Sequence, residues 1–175
     1  LCRNRNVVDN AAIRLQIAPK SSITFNDLIM GFQSQNLPME VGDFVIQRRD
    51  KLFSYQLAAT LDDQFQHVTH VIRGADLIDS TARQIYLHKC LMRLSGDNSP
   101  ATSSSKITYG HIPMATNAEG QKLSKQNHAA ALRVGHESQN LWLALQWLQQ
   151  QPPEELNNAP VEQLLDWAIQ HWTIS

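Results

Sequence analysis

The feature that most constrains this chain is the run Val68-Thr69-His70-Val71-Ile72, followed at once by Arg73-Gly74-Ala75-Asp76. A short run rich in β-branched residues is the pattern of a buried strand in a parallel sheet. A turn at Gly74 and a helical pattern over 82–92, with apolar residues at Ile85, Leu87 and Leu91, complete a strand–turn–helix unit. Asp79, Ser80 and Thr81 supply the N-cap candidates for that helix. Such a unit commits the region to an α/β layer architecture. Ligands of open parallel sheets sit beyond the carboxyl ends of the strands, so a functional cation belongs at Arg73, with Asp76 beside it. A guanidinium there offers a planar fork suited to a carboxylate or a phosphate. The competing reading is an Arg73–Asp76 ion pair that ties a loop.

Elsewhere the pattern alternates. Residues 11–17, 23–31 and 44–48 read as short strands or turns, and 54–60 as a helix ending at Asp62-Asp63. The stretch 97–105 (DNSPATSSS) is a low-complexity loop, 107–115 a strand broken by Pro113, 117–120 a turn, and 122–127 a polar loop rich in positive charge. Leu141, Trp142, Leu145 and Leu148 form the stripe of a helix stopped by Pro152-Pro153. Pro160 opens a last helix with Val161, Leu164, Leu165, Ala168 and Ile169 on one face. The expected organisation is a core over 1–130 and a helical appendage over 131–175.

Composition narrows the class of function. With 175 residues, 42% hydrophobic, 18% charged and a net charge of -1, the chain reads as an ordinary globular protein. A nucleic-acid partner would have to be met by a localised basic patch, because the total is nearly neutral. No run approaches the roughly 18–20 apolar residues that span a bilayer, so no membrane partner is expected, and no signal peptide opens the chain. Cys2 and Cys90 are too few for a disulfide framework. The cytoplasm is the expected compartment. The chain opens on Leu1 rather than Met, which reads as a start within a domain.

A second constellation is Lys122-Leu123-Ser124-Lys125-Gln126. Two lysines three apart around a serine, in a loop after a strand, can hold a polyphosphate with mobile point charges; alone, such a run reads equally as a solvated loop.

Taken in order, the motifs resemble the catalytic core of the class I glutamyl-tRNA synthetases over nearly the whole chain. They are Arg48-Arg49-Asp50, Tyr55, Leu57-Ala58, Leu61-Asp62-Asp63, the run 68–76, Thr81-Ala82-Arg83-Gln84, and then a KMSKS-type loop at 122–126. The loop KLSKQNHA, the element Asp9-Asn10-Ala11-Ala12-Ile13-Arg14, and an end about 50 residues after Lys125 (175 minus 125) resemble the family's shortened branch, which glutamylates a queuosine base in tRNA(Asp). Trp167 and Trp172 in the tail resemble that branch too. The alternatives are a truncated discriminating glutamyl-tRNA synthetase, or a non-catalytic RNA-binding module derived from the fold.

The resemblance implies the C-terminal part of a Rossmann-like class I catalytic domain with a small helical tail. It implies an ATP-dependent ligase, with Mg accompanying ATP, that activates glutamate and passes it to queuosine-containing tRNA(Asp), acting as a monomer. Tyr55 and Arg73 are implied to bind glutamate, with an aromatic core anchor as the other reading of Tyr55. Asp76 lines the site, Lys125 meets ATP, and Lys122, Leu123, Ser124 and Gln126 shape the signature loop. Cys2-Arg3 matches the last ligand position of a zinc site whose other ligands lie upstream. His70 matches the family's strand and His128 follows the loop. Lys51 stands where a glycine is common after Arg-Arg-Asp, so that turn is expected to differ. The HIGH-type motif is absent from this sequence, so the resemblance implies an active site whose first half is not in the chain.

Overall fold

The computed structural model describes residues 10–94, 107–117, 119–124, 129 and 131–174. The chain divides into two compact units, Leu1–Met114 and Ala115–Ser175. The sequence pattern puts the boundary at 130; the compact division sends the 115–124 segment with the helical tail.

In the first unit, β1 (Ile13–Leu15) pairs antiparallel with β4 (Phe44–Gln47). The larger sheet has the order β3-β2-β6-β5. Its β2 (Ser22–Asp27) and β3 (Gly31–Asn36) form a hairpin in register from Ser22↔Asn36 to Asp27↔Gly31. Along β2 the side chains of Ile23, Phe25 and Asp27 are buried and the alternate ones exposed, the period-2 pattern of a half-covered strand. That parity carries a carboxylate, Asp27, to the buried face at the strand's end. The strand read over 23–31 is therefore two strands, because Asp27 Oδ1 accepts from the Ile29 and Met30 amides (3.1 and 2.9 Å) and turns the chain.

Strands β5 (His70–Gly74) and β6 (Thr108–Ile112) run parallel, His70 opposite Thr108 through Gly74 opposite Ile112. The helix α3 (Ile78–Leu94) lies between them in sequence, giving the expected α/β unit. One expectation changes. The β-branched run is not the buried strand: β5 is the last in the described sheet order, and Ile72 is 53% exposed. The buried parallel strand is β6, flanked on both sides, with Tyr109, Gly110 and His111 all buried. Its polar residues disguise it as a surface segment.

The helix limits match the sequence reading at some ends and depart from it at others. Ser54 caps α2 (Tyr55–Phe65), its Oγ accepting from the Leu57 amide at 3.4 Å. This helix runs through Asp62 and Asp63 instead of ending there. A 3-10 turn, Ala75–Leu77, leads directly into α3 at Ile78, so Asp79, Ser80 and Thr81 lie within its first turns. Ser80 and Thr81 are buried, and they bond across the fold rather than capping the helix. The short α1 (Leu37–Glu40) carries a reciprocal cap: Asn36 Oδ1 accepts from the Met39 amide, and Glu40 Oε1 from the Asn36 amide at 2.7 Å. Leu37, with no exposed surface, packs with Ile17, Ile23, Phe44 and Ala82 as the core of this unit. At 51 the backbone has φ +68°, the left-handed shape a glycine takes without cost. Lys51 thus keeps the geometry a glycine would favour.

In the second unit, Asn117 builds the expected turn, its Oδ1 accepting from the Gln121 amide at 2.8 Å. Helices α4 (Glu137–Trp147) and α5 (Val161–His171) bury Trp142, Leu145, Leu156, Leu164 and Ala168 together. The end of α4 is not set by the prolines. It stops at Trp147, and Gln149 follows with φ +60°. Trp142 Nε1 instead donates to the Pro153 carbonyl at 3.0 Å, which fastens the proline segment. No helix among the described residues is long and apolar enough to cross a membrane.

Replacing Leu37 with Ala should cost ~2–5 kcal/mol by cavity formation. The neighbouring Met39→Ala, at a site 83% exposed, should cost under ~0.5 kcal/mol. Urea unfolding curves of the two variants, read as midpoint shifts at constant slope, check the contrast.

Candidate active site

Three strands end at one place. Asp27 closes β2, Arg73 is the fourth residue of β5, and His111 is the fourth of β6, directly opposite Arg73 in register. Two helices add the rest: Tyr55 is the first residue of α2, while Thr81 and Gln84 face inward from α3. All converge on the Arg73 guanidinium. Its Nε donates to His111 Nε2 at 3.2 Å and one terminal nitrogen to the Tyr55 hydroxyl at 3.3 Å. The other terminal nitrogen donates to Thr81 Oγ1 at 2.8 Å and Gln84 Oε1 at 2.9 Å. The Tyr109 ring lies 5.8 Å beneath the guanidinium carbon, a cation–π distance.

None of these partners is a carboxylate. Among the described residues no carboxylate forms an ion pair with Arg73, so its orientation is fixed while its charge is not cancelled by direct contact. The ion-pair alternative with Asp76 is not what forms. The Asp76 carboxylate folds back so that Oδ1 would stand 2.6 Å from a Cβ at position 74, and Gly74 is what makes room for it. Tyr55 is 52% exposed, which rules out the core-anchor reading and leaves its hydroxyl at the rim beside Arg73.

Behind the arginine stands a buried pair. Asp27 and His111 side chains have no exposed surface, and His111 Nδ1 meets Asp27 Oδ2 at 2.5 Å. Asp27 Oδ1 also accepts from the His111 amide at 2.9 Å. Burial alone would raise the Asp27 pKa, but bonds from the Met30 amide, the His111 ring and the His111 and Ile29 amides outweigh it and hold it below the usual carboxylate value. Asp63 moves the other way, its burial raising the pKa against the pull of Arg73. Tyr109 is pushed up to about 12, chiefly by burial, so its phenol stays protonated.

Of the residues expected from sequence, the structure joins Tyr55 to Arg73 and leaves Asp76 over Gly74. In the second unit Lys122 bridges Thr116 across a short antiparallel pair, the Leu123 amide donates to the Ala115 carbonyl at 2.8 Å, and the Ser124 carbonyl accepts from the Ala129 amide at 3.1 Å. Cys2, Lys125, Gln126 and His128 lie outside the described residues, as does the loop 97–105. His70 is exposed and its ring bonds to Thr69 at 3.0 Å. Sequence reasoning did not assign site roles to Asp27, Thr81, Gln84, Tyr109 and His111. The signal that could have found them was polar residues at buried parity: Asp27 after Ile23 and Phe25, and Thr81 and Gln84 three apart on the inner face of a helix.

Residues 3–141 match the family described as tRNA synthetases class I (E and Q), catalytic domain. The chain belongs to that family. It is 47% identical over 174 residues to a glutamyl-Q tRNA(Asp) synthetase of Thiobacillus denitrificans, covering 99% of this chain and 54% of that protein. It is 42% identical over 173 residues to a glutamyl-Q tRNA(Asp) synthetase of Pseudomonas fluorescens, covering 98% and 54%. The chain thus spans about half the length of the curated relatives it matches. Among solved structures, a glutamate-tRNA synthetase from Elizabethkingia anophelis aligns with a TM-score of 0.49 and 31% identity, covering 66% of this chain and 21% of that one.

The lowered Asp27 pKa has a consequence for stability. A carboxyl whose folded pKa is depressed contributes stability that is present above its unfolded value, about 3.9, and lost as pH falls through the folded pKa. In acid unfolding, the stability gap between the wild type and Asp27→Asn should be full at pH 5–7 and close progressively below about pH 4. A pH-independent gap would contradict the assignment.

Proposed function

We propose that the protein carrying this chain activates glutamate with ATP and transfers it to the queuosine base of tRNA(Asp). The observation that carries the reading is the Arg73 guanidinium, held by four side chains, none of them a carboxylate, at the carboxyl end of the sheet. Such a group selects an anion. A carboxylate that docks on it gains charge-assisted bonds, and among the described residues it displaces no ion-paired carboxylate. The names of the relatives point to glutamate as that anion and to tRNA(Asp) as the acceptor.

In this reading Arg73 binds one carboxylate of glutamate, and the Tyr55 hydroxyl at the rim orients the substrate. Asp76 lines the same pocket. One substrate carboxylate oxygen attacks the α-phosphorus of ATP, pyrophosphate departs, and a glutamyl-adenylate results. A hydroxyl of the queuosine cyclopentenediol then attacks the acyl carbon and AMP leaves. Holding the reactants in line supplies much of the acceleration, and positive groups offset the charge that builds on phosphate. Lys125 takes that electrostatic part, within the loop formed with Lys122, Leu123, Ser124 and Gln126, and Mg accompanies the triphosphate. Cys2 contributes one thiolate to a structural zinc site. Zinc takes four ligands, and the described residues hold no group of three His, Cys, Asp or Glu able to bind a metal. This chain's described residues therefore do not fit zinc by themselves, and no step depends on it. The protein works as a monomer in the cytoplasm.

In the full-length protein, Arg73→Ala should raise the glutamate requirement by on the order of a hundredfold, the scale of losing one buried charge-assisted contact. ATP affinity should hold. Glutamate-dependent pyrophosphate exchange, titrated in each substrate, reads both. Equal losses for glutamate and ATP would contradict the role of Arg73. Charging of tRNA(Glu) in place of queuosine-containing tRNA(Asp) would move the protein to the ordinary synthetases.

A further inference from the structure

We infer that the buried Asp27–His111 pair is a positioning device for Arg73, acting by fixing which imidazole nitrogen carries the proton. This rests on the reading of Arg73 as the substrate-binding cation.

The geometry leaves one consistent arrangement. Asp27 Oδ1 is saturated by backbone donors, from Ile29, Met30 and His111. Oδ2 is therefore the atom that meets the ring, 2.5 Å from Nδ1. A carboxylate oxygen accepts, so Nδ1 carries the hydrogen. On the far side, Nε2 faces the Arg73 Nε–H at 3.2 Å and the Thr81 hydroxyl at 3.1 Å. The arginine Nε–H can only donate, so Nε2 must present a lone pair. The ring is then neutral with its proton on Nδ1. Thr81 closes the circuit, its oxygen accepting from Arg73 at 2.8 Å while its hydrogen turns toward Nε2.

With the proton on Nε2 instead, two N–H groups would face each other across 3.2 Å, and the arginine would lose the acceptor at its Nε. The remaining bonds hold only the terminal nitrogens, so the guanidinium plane could swing about Cδ–Nε. The guanidinium donates to His111, Tyr55, Thr81 and Gln84 and not to Asp27, so the carboxylate acts through the imidazole. The pair occupies the inner side of the arginine, leaving the outer side, marked by the exposed Tyr55, for a ligand.

Asp27→Asn separates this role from simple structural support. The three backbone bonds to Oδ1 keep the asparagine oxygen in place, which aims its NH2 at Nδ1. That donor forces Nδ1 to become the acceptor and moves the proton to Nε2. Packing and turn are retained while the tautomer inverts.

The test uses the full-length protein labelled with 15N-histidine. Two-bond proton–nitrogen correlation spectra, assigned with His111→Gln, should show His111 as the Nδ1–H tautomer in the wild type and as Nε2–H in Asp27→Asn. The variant should raise the glutamate KM about tenfold, equivalent to ~1.4 kcal/mol, with the ATP KM within about twofold. His111→Gln, whose amide oxygen can replace the Nε2 acceptor, should recover more glutamate affinity than His111→Leu. A wild-type ring in the Nε2–H or doubly protonated form overturns the inference whether or not any variant folds. So does a tautomer inversion that leaves glutamate KM unchanged while Arg73→Ala still raises it. If Arg73→Ala itself leaves glutamate KM unchanged, the substrate reading falls, while the tautomer spectra still decide the positioning of Arg73.

Discussion

The structure is organised around holding a guanidinium in place with no carboxylate in direct contact among the described residues. An arginine brings five N–H donors in a rigid plane and no acceptor. Buried edges of that plane must be satisfied or they cost several kcal/mol. The simplest satisfaction is a carboxylate, which would also cancel the charge. Here the donors go to an imidazole nitrogen, two hydroxyls and an amide oxygen, drawn from β6, α2 and α3. No one element could provide them, so the convergence of strand ends and helix starts follows from the arginine's own geometry.

The carboxylate that might have been adjacent is present one step removed. Asp27 lies at the end of β2 and meets the arginine only through His111. Three backbone donors and the ring hold its charge in a buried place, against the desolvation that would otherwise raise its pKa. The arrangement separates positive from negative by the width of an imidazole ring. The negative charge steadies the assembly from behind while the positive charge faces outward. Tyr109 fills the space under the guanidinium with its ring and stays uncharged, because burial pushes its ionisation up to about 12. Gln84 completes the set at some cost, since its buried Nε2 has no partner among the described residues.

How much of this was legible in the sequence differs from element to element. The α/β unit and Arg73 at its mouth could be read from 68–76, because a β-branched run followed by glycine and a helical period is a local signal. The burial of that run could not. Whether a strand is central or at an edge depends on sheet order, which is a non-local property. The strand read over 107–115 forms as β6, but its burial was not legible, because its Thr-Tyr-Gly-His core is polar in composition yet lies at the centre of the parallel pairing. Ser80 and Thr81 read as caps because hydroxyls near a helix start usually are; here a preceding 3-10 turn shifts the start upstream and leaves them inside. Tyr55 and Arg73 came from motif resemblance, and their mutual bond at 3.3 Å adds the geometry. Asp27 and His111 are 84 residues apart, and no spacing rule links them.

That distance explains why the site can be specific and still be built on short strands. Asp27, Arg73 and His111 sit at or next to the carboxyl ends of their strands, and the helix residues in the first two turns of α2 and α3. There the backbone changes direction and side chains from different elements approach one another. A hydrogen-bonded ring of this kind tolerates few intermediate states: in the arrangement inferred above the imidazole has one proton to place, and the groups around it dictate where. Moving that proton changes no volume and breaks no packing, yet it reverses the polarity of the contact at Arg73. On the reading proposed above, affinity for an anion at the mouth of the sheet depends on a carboxylate with no exposed surface. The link passes through a single aromatic ring, whose Nδ1 donates to the aspartate while its Nε2 accepts from the arginine.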